Sequence, residues 1–250
     1  MLAIARQTAI REKLREFKSV RIADLAQQLQ VTRETIRRDL REMERRGELI
    51  RTHGGAYTLD GVQNDLDVVT RKVLKIPEKE RIAQKCCAII QPGDYVFLDG
   101  STTCWSVAKA IAHRKLTVLT TSLEIAKILS ASESIKLHVI GGEFSSKYMD
   151  FIGEGAIKTL ERYYVDKAII SCRSVDLKYG ITDTSDGRAR LHQTALEHAH
   201  QKYLVVDHSK LDNVSFAYIA PLTAIDGIIM DQDFSREWVD FLNAHQIRIY

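Results

Sequence analysis

What the chain lacks narrows its setting first. No apolar run approaches the roughly 20 residues that a membrane-spanning helix needs, and MLAIARQTAI carries Arg6 and Gln7 where a signal peptide would have its apolar segment. A cytoplasmic address is expected. Cysteine is scarce: Cys86, Cys87, Cys104 and Cys172 form no C-x-x-C pair and have no histidine at metal-ligand spacing. That argues against a disulfide framework and a zinc site, and all four are expected to be reduced thiols. A strong overall charge is also absent, at +3. The charge is uneven, however: residues 1–55 hold 13 Lys and Arg against 8 Asp and Glu, and residues 56–250 hold 23 against 25. Only the first part is suited to meet a polyanion. With 250 residues and 45% apolar content, the chain can bury a substantial core in one large domain or two modest ones.

The basic part has a regular apolar frame. In RQTAIREKLREF, Ile10, Leu14 and Phe17 recur at helical spacing, and in VRIADLAQQLQ, Ile22, Leu25, Ala26 and Leu29 do so again. After a short turn at Gln30 and Val31, Thr32 is placed to cap a third helix, in which Ile36, Leu40 and Met43 form the buried stripe. That stripe forces Arg33, Arg37, Arg38 and Arg41 into water. Gly47 is placed to end the helix, and ELIRTHGGAYTL alternates apolar and polar residues around Gly54 and Gly55 as a hairpin does. Three short helices and a hairpin make a winged helix-turn-helix, whose third helix enters the major groove of duplex DNA. A charged helix on the surface of a bundle would have the same composition.

The stretch IADLAQQLQVTRETIRRDLREMERRGELIRTHGGAY resembles the signature of the DeoR family of bacterial transcription regulators, in its T-x-R-R-D-L, G-x-L-x-R and H-G-G-A elements. The resemblance implies a DNA-binding domain over residues 1–59. It implies operator DNA as the partner of Thr32, Arg33, Thr35, Arg37, Arg38, Arg41, Arg51 and His53, and a homodimer or homotetramer for paired half-sites.

Residues 60–76, DGVQNDLDVVTRKVLKI from Asp60, are polar and weakly periodic, as in a linker. From 77 to 250, short apolar runs alternate with helical stretches: YVFLD, LTVLT, IKLHVI, KAIIS and YLVVD, then DGIIM and IRIY around a helix near Phe234 to Leu242. Such alternation predicts a Rossmann-like α/β domain with a largely parallel sheet. Ligands of these sheets bind beyond the carboxyl ends of the strands, where this chain has DGSTT (99–103), TS (121–122), GGE (141–143) and DHSK (207–210). In DGSTTCW, backbone N–H groups and the hydroxyls of Ser101, Thr102 and Thr103 can hold a phosphate at a helix N-terminus, with Lys210 as the cation. A plain strand-to-helix turn with a Ser/Thr cap reads the same way. The loop with Asp183, Asp186, Arg188 and Arg190 can close over a sugar, while His192, His198 and His200 are expected at the surface and Trp105 and Trp238 in the core.

This second stretch resembles the sensor domain of the same family, which is similar in fold to ribose-5-phosphate isomerase and recognises phosphorylated sugars. The resemblance implies an effector site of Asp99, Gly100, Ser101, Thr102, Thr103, Ser122, Gly141, Gly142, Asp183 and Lys210. LDGSTTCW and SCRSVD look most like family members that govern fucose use, which implies a fucose-derived phosphate. The rival reading is a sugar-phosphate isomerase fused to a DNA-binding domain. In that isomerase the strand matching DKAIISCRSVD ends in two aspartates, where this chain has Ile170 and Arg173, and the base position falls near His192. An aliphatic side chain and a cation do not replace those acids. No catalytic residue, metal or cofactor is expected.

Overall fold

The computed structural model describes residues 2–17, 19–46, 48–51, 54–57 and 68–250. The chain divides into two compact units, Met1–Leu74 and Lys75–Tyr250. The first unit runs α1 (Ala3–Phe17), β1 (Ser19–Arg21), α2 (Ile22–Gln28), α3 (Arg33–Arg45), β2 (Ile50–Arg51), β3 (Gly55–Tyr57) and α4 (Val68–Val73). Ile10 and Leu14 of α1, Ile22, Leu25 and Ala26 of α2, and Ile36, Leu40 and Met43 of α3 close on one another with Leu49 and Ala56. Each large aliphatic side chain buried there contributes about 1.5–3 kcal/mol. A two-pronged ion pair adds to this packing: Arg6 of α1 donates from Nε to Asp39 Oδ2 (2.7 Å) and from Nη2 to Oδ1 (3.1 Å).

The turn between α2 and α3 is set by the backbone. Gln30 takes the left-handed conformation (φ 52°), while its N–H reaches Gln27 O (3.3 Å) and that of Val31 reaches Ala26 O (3.0 Å). This is the double closure of a Schellman end. Thr32 then opens α3, its Oγ1 accepting from Thr35 N at 3.2 Å. The wing is an antiparallel sheet in the order β1-β3-β2. Its outer strand β1 was not expected, because three residues are too few to show an alternation. Gly55 passes so close to it that a Cβ would run into the Val20 carbonyl.

The Phe17 side chain, Gly47, His53 and the first part of the expected linker lie outside the described residues. Its later part is not irregular chain: Val68–Val73 is helical, and α5 begins at Ile76.

The second unit continues with α5 (Ile76–Ile89), β4 (Tyr95–Leu98), α6 (Thr102–Ile111), β5 (Leu116–Thr120), α7 (Leu123–Leu129), β6 (Ile135–Val139), β7 (Glu143–Ser145), β8 (Asp150–Ile152), α8 (Glu154–Leu160) and β9 (Val165–Ile170). Then follow β10 (Ser174–Asp176), β11 (Gly180–Asp183), α9 (Asp186–Glu197), β12 (Ala199–Val206), β13 (Ala217–Ala220), β14 (Gly227–Met230), α10 (Arg236–Ala244) and β15 (Arg248–Ile249). Seven strands form one sheet in the order β15-β14-β12-β9-β4-β5-β6, and every pair in it is parallel. From β4 the chain builds outward through β5 and β6, then returns to the other side of β4 with β9. The strand order therefore reverses between β4 and β9, the place where such sheets leave a crevice beyond the carboxyl ends. Two smaller antiparallel sheets, β7-β8 and β10-β11-β13, border the main one.

Candidate functional site

In the first unit, the α3 stripe leaves Arg33, Arg37, Arg38 and Arg41 exposed and Thr35 half-buried. Glu34 accepts from Arg37 Nη1 (3.1 Å) and Arg41 Nη2 (2.8 Å), aligning two guanidinium groups along one face. Such exposed pairs contribute little stability. Arg51, expected on the wing, is tied back to α3: its Nε donates to Glu44 Oε2 (2.6 Å) and its backbone N–H to Oε1 (3.1 Å). The hydrogen bond from Arg51 outweighs burial and lowers the Glu44 carboxyl.

In the second unit, Asp99 to Thr103 follow β4 at the strand-order reversal. Asp99 bridges the two central strands, its Oδ2 accepting from Ser171 N (2.8 Å) beyond β9 and its Oδ1 from Ser101 N (2.9 Å). Ser101 caps α6, accepting at Oγ from Cys104 N (3.1 Å). The N–H groups of Thr102 and Thr103 belong to the first turn, which a helix leaves without internal partners. Gly100 allows this approach, since a Cβ there would collide with the Asp150 carboxylate. On the neighbouring strand Ser122 caps α7 and accepts from Trp105 Nε1 (3.1 Å). The β7–β8 hairpin folds onto the same edge, with Phe151 N on Thr121 O (2.8 Å) and Leu123 N on Met149 O (3.1 Å), and so delivers Asp150.

From the other side α9 contributes Arg188 and His192. Contrary to the expectation of a surface histidine, His192 is only 2% exposed and Arg188 only 3%. His192 Nε2 lies 3.3 Å from Asp99 Oδ2, and Arg188 sits over the Tyr148 ring at 5.1 Å. Arg188, Leu191, His192 and Ala195 share one face of α9, and that face is buried. Asp183 closes β11, accepting from Thr184 N (2.8 Å) and Ser185 N (3.2 Å). Lys210 lies in the short turn after β12 and donates from Nζ to Cys172 O (2.6 Å) beyond β9.

Of the expected effector residues, Asp99, Gly100, Ser101, Thr102 and Thr103 thus follow β4, Ser122 follows β5, Lys210 follows β12, and Asp183 ends β11. Gly141 and Gly142 differ: both are exposed after β6, and Gly142 is needed because a Cβ would press on the Ile152 carbonyl (2.6 Å). Its smallness serves hairpin packing.

Electrostatics bind the cluster together. Burial raises the Asp99 carboxyl, but His192 and Arg188 overcome it and hold it well below the usual range. Asp183 is lowered in the same way, against burial, by Arg188, His192 and Lys210. For Asp150 burial prevails over Arg188, and the carboxyl is raised. Burial works against the Arg188 charge, yet Asp183, Asp150 and Asp99 outweigh it. Burial also pushes the Cys172 thiol up to about 12. Among the described residues, no group of three or more His, Cys, Asp or Glu side chains is arranged to hold a metal ion. No helix among them is long and apolar enough to cross a membrane.

Asp207, at the end of β12, gives a pH-dependent expectation. Burial raises its carboxyl, but Lys210 and Lys75, the latter at 3.0 Å, lower it to about 2. The unfolded group titrates near 4, so the folded pairing contributes about 2 kcal/mol above that pH and loses it between about 4 and 2. Thermal unfolding across an acid series should show Asp207→Asn less stable than the native chain at pH 7, with the gap closing in that window. A gap unchanged down to pH 2 would contradict the pairing.

Comparisons with known proteins match each of the two units. The DeoR-like helix-turn-helix domain matches residues 6–61, and the DeoR C terminal sensor domain matches residues 74–232. An HTH-type transcriptional regulator of Bacillus subtilis, YulB, is 33% identical over 100% of this chain and 96% of its own. The transcriptional repressor GlcR of the same species is 31% identical over 98% and 94%, and the L-fucose operon activator of Haemophilus influenzae is 30% identical over 90% and 91%. Among solved structures, ribose 5-phosphate isomerase A of Methanocaldococcus jannaschii is similar over 53% of each chain with a TM-score of 0.40 at 16% identity, too slight a likeness to assign chemistry. With both domains matched in order and full-length relatives above 30% identity, the chain belongs to the DeoR family of helix-turn-helix transcriptional regulators.

Proposed function

We propose that the chain controls a sugar-catabolism operon in the cytoplasm: the winged helix binds operator DNA, and a phosphorylated sugar at the crevice between β4 and β9 changes that binding. The observation that carries this is the convergence of the Asp99–Thr103 loop and Lys210 at the strand-order reversal, in a chain whose other unit exposes Arg33, Arg37, Arg38 and Arg41 on one helix. Helix N-terminal amides and a cation suit a phosphate dianion. A homodimer or homotetramer supplies the second reading helix for a paired operator. Occupancy regulates if the effector binds the DNA-competent and DNA-incompetent arrangements unequally. The relatives named above include a repressor and an activator; the sign of control follows from where the operator lies relative to the promoter. The L-fucose relative makes a fucose-derived phosphate the first effector to try.

The site binds without turnover. The resemblance to the isomerase puts acids where this chain has Ile170 and Arg173, and Asp99 is committed to Ser101, Ser171 and His192. Gel shifts of the full chain on the DNA upstream of its own gene, with sugar phosphates titrated in and the same mixtures assayed for isomerisation, test both statements. Operator binding altered by a sugar phosphate and no turnover is the expected result. Operator binding indifferent to every phosphorylated sugar, or protein-dependent isomerisation lost on mutating the site, would remove the sensor reading.

A further inference from the structure

Behind the phosphate loop is a second set of polar groups that the phosphate does not use. Nε and Nη1 of Arg188, Nδ1 of His192 and Oδ1 of Asp150 are buried and have no hydrogen-bond partner among the described residues. The protein brings them together at some cost, since an unmet buried polar group is unfavourable by about 1–3 kcal/mol. They come from different elements: α9 supplies Arg188 and His192, the start of β8 supplies Asp150, and the β7–β8 turn supplies Tyr148 beneath Arg188. Gly100 of the phosphate loop lies against the Asp150 carboxylate, so these groups adjoin the loop.

Their chemistry is specific. Arg188 offers N–H donors only, the free oxygen of Asp150 accepts, and the unmet Nδ1 of His192 donates or accepts according to its tautomer. A hydroxyl meets both demands, accepting from the guanidinium and donating to the carboxylate. A carboxylate would satisfy Arg188, but it would leave the Asp150 oxygen unmet and add a charge beside Asp99, Asp150 and Asp183. Three buried acids around one guanidinium already leave the pocket short of positive charge.

We propose that Arg188, His192 and Asp150 recognise adjacent hydroxyls on the uncharged carbon chain of the effector, so that the site takes neutral sugar phosphates and refuses the corresponding sugar-acid phosphates. This rests on the phosphate-loop reading above and adds the ligand's other end. Asp150 is also the acid of the cluster whose charged form burial disfavours most clearly, which further discourages a second anion there.

The test is calorimetry on the full chain with matched probes: ribose 5-phosphate against 5-phosphoribonate, glucose 6-phosphate against 6-phosphogluconate, and fuculose 1-phosphate, with inorganic phosphate as the loop probe. In any matched pair that binds, the neutral sugar phosphate should be at least about tenfold tighter than its acid, in line with hydrogen bonds to charged groups. This comparison needs no variant. Asp150→Asn, which keeps the shape and removes a charge, should narrow the gap to about threefold. Arg188→Lys should weaken the neutral sugar phosphate about tenfold while leaving inorganic phosphate unchanged. A sugar acid bound as tightly as its neutral partner would overturn the proposal, as would a gap that both variants leave intact. Lys210-dependent binding of inorganic phosphate with no gain from any sugar would overturn it and spare the phosphate loop. No Lys210-dependent binding of any probe would overturn both.

Discussion

Replacing Arg37 and Arg38 together by alanine should lower affinity for the operator by about 30-fold to about ten-thousandfold. Ile36, Leu40 and Met43 are buried in the three-helix core, so α3 cannot rotate and its remaining face is fixed. Arg37 and Arg38 lie in the first two turns of that face, the part of a recognition helix that comes nearest to base edges. A good arginine contact to a base is worth about 1–3 kcal/mol, and two of them give about 2–6 kcal/mol, or roughly a factor of ten per 1.4 kcal/mol. Arg37 is already oriented by Glu34, whereas Arg38 has no ion pair among the described residues. Arg38→Ala should therefore relax the preference at one base pair, and Arg51→Ala should weaken all sequences slightly and alike, because Arg51 is held by Glu44. Anisotropy titrations on the operator and on single-base variants, across a salt series, separate the two behaviours. If the double variant binds the operator with native affinity and salt slope, α3 is not the reading helix.

How much of this was legible in the sequence depends on element length and on which partner makes the element. The α3 stripe and the buried central strands were legible because each buries its apolar residues at its own period: Ile36, Leu40 and Met43 at helical spacing, and Val96 to Leu98 or Ile169 and Ile170 as continuous apolar runs. The small sheets were not. Ser-Val-Asp of β10 and Glu-Phe-Ser of β7 are too short to show a period, and β11, which ends at Asp183, pairs with β13, which begins only at Ala217, so only the folded chain defines them. The phosphate loop was legible because strand, small residues and helix follow one another directly. The other half of the site was not, because Arg188 and His192 look like ordinary solvated residues until the β7–β8 hairpin and β4 are placed around them. Burial of a charge is a tertiary fact, and no local pattern announces which carboxylates will surround it.

Lys210→Ala should weaken a phosphorylated sugar by roughly ten- to a hundredfold while leaving operator binding without effector intact. The lysine stands in the turn after β12, and its chain crosses to Cys172 O beyond β9, so its ammonium is held at the edge where Asp99 to Thr103 follow β4. Its charge helps to lower the Asp183 and Asp207 carboxyls against the effect of burial. A phosphate dianion at the first turn of α6 would accept from the Thr102 and Thr103 amides and gain the Lys210 charge, and a charge-assisted hydrogen bond is worth about 1.5–3 kcal/mol. The ten-residue α6 adds the favourable end of its dipole. The unphosphorylated sugar draws on none of these terms and should bind poorly to both proteins. The winged helix lies in a separate compact unit, so the variant should still bind DNA yet fail to respond to effector. Calorimetry with phosphorylated and free sugars, run beside operator gel shifts, checks both halves. Equal affinity for sugar and sugar phosphate, or a Lys210→Ala protein with native affinity for the phosphate, would remove Lys210 and the α6 N-terminus from the site while leaving the DNA-binding helix untouched.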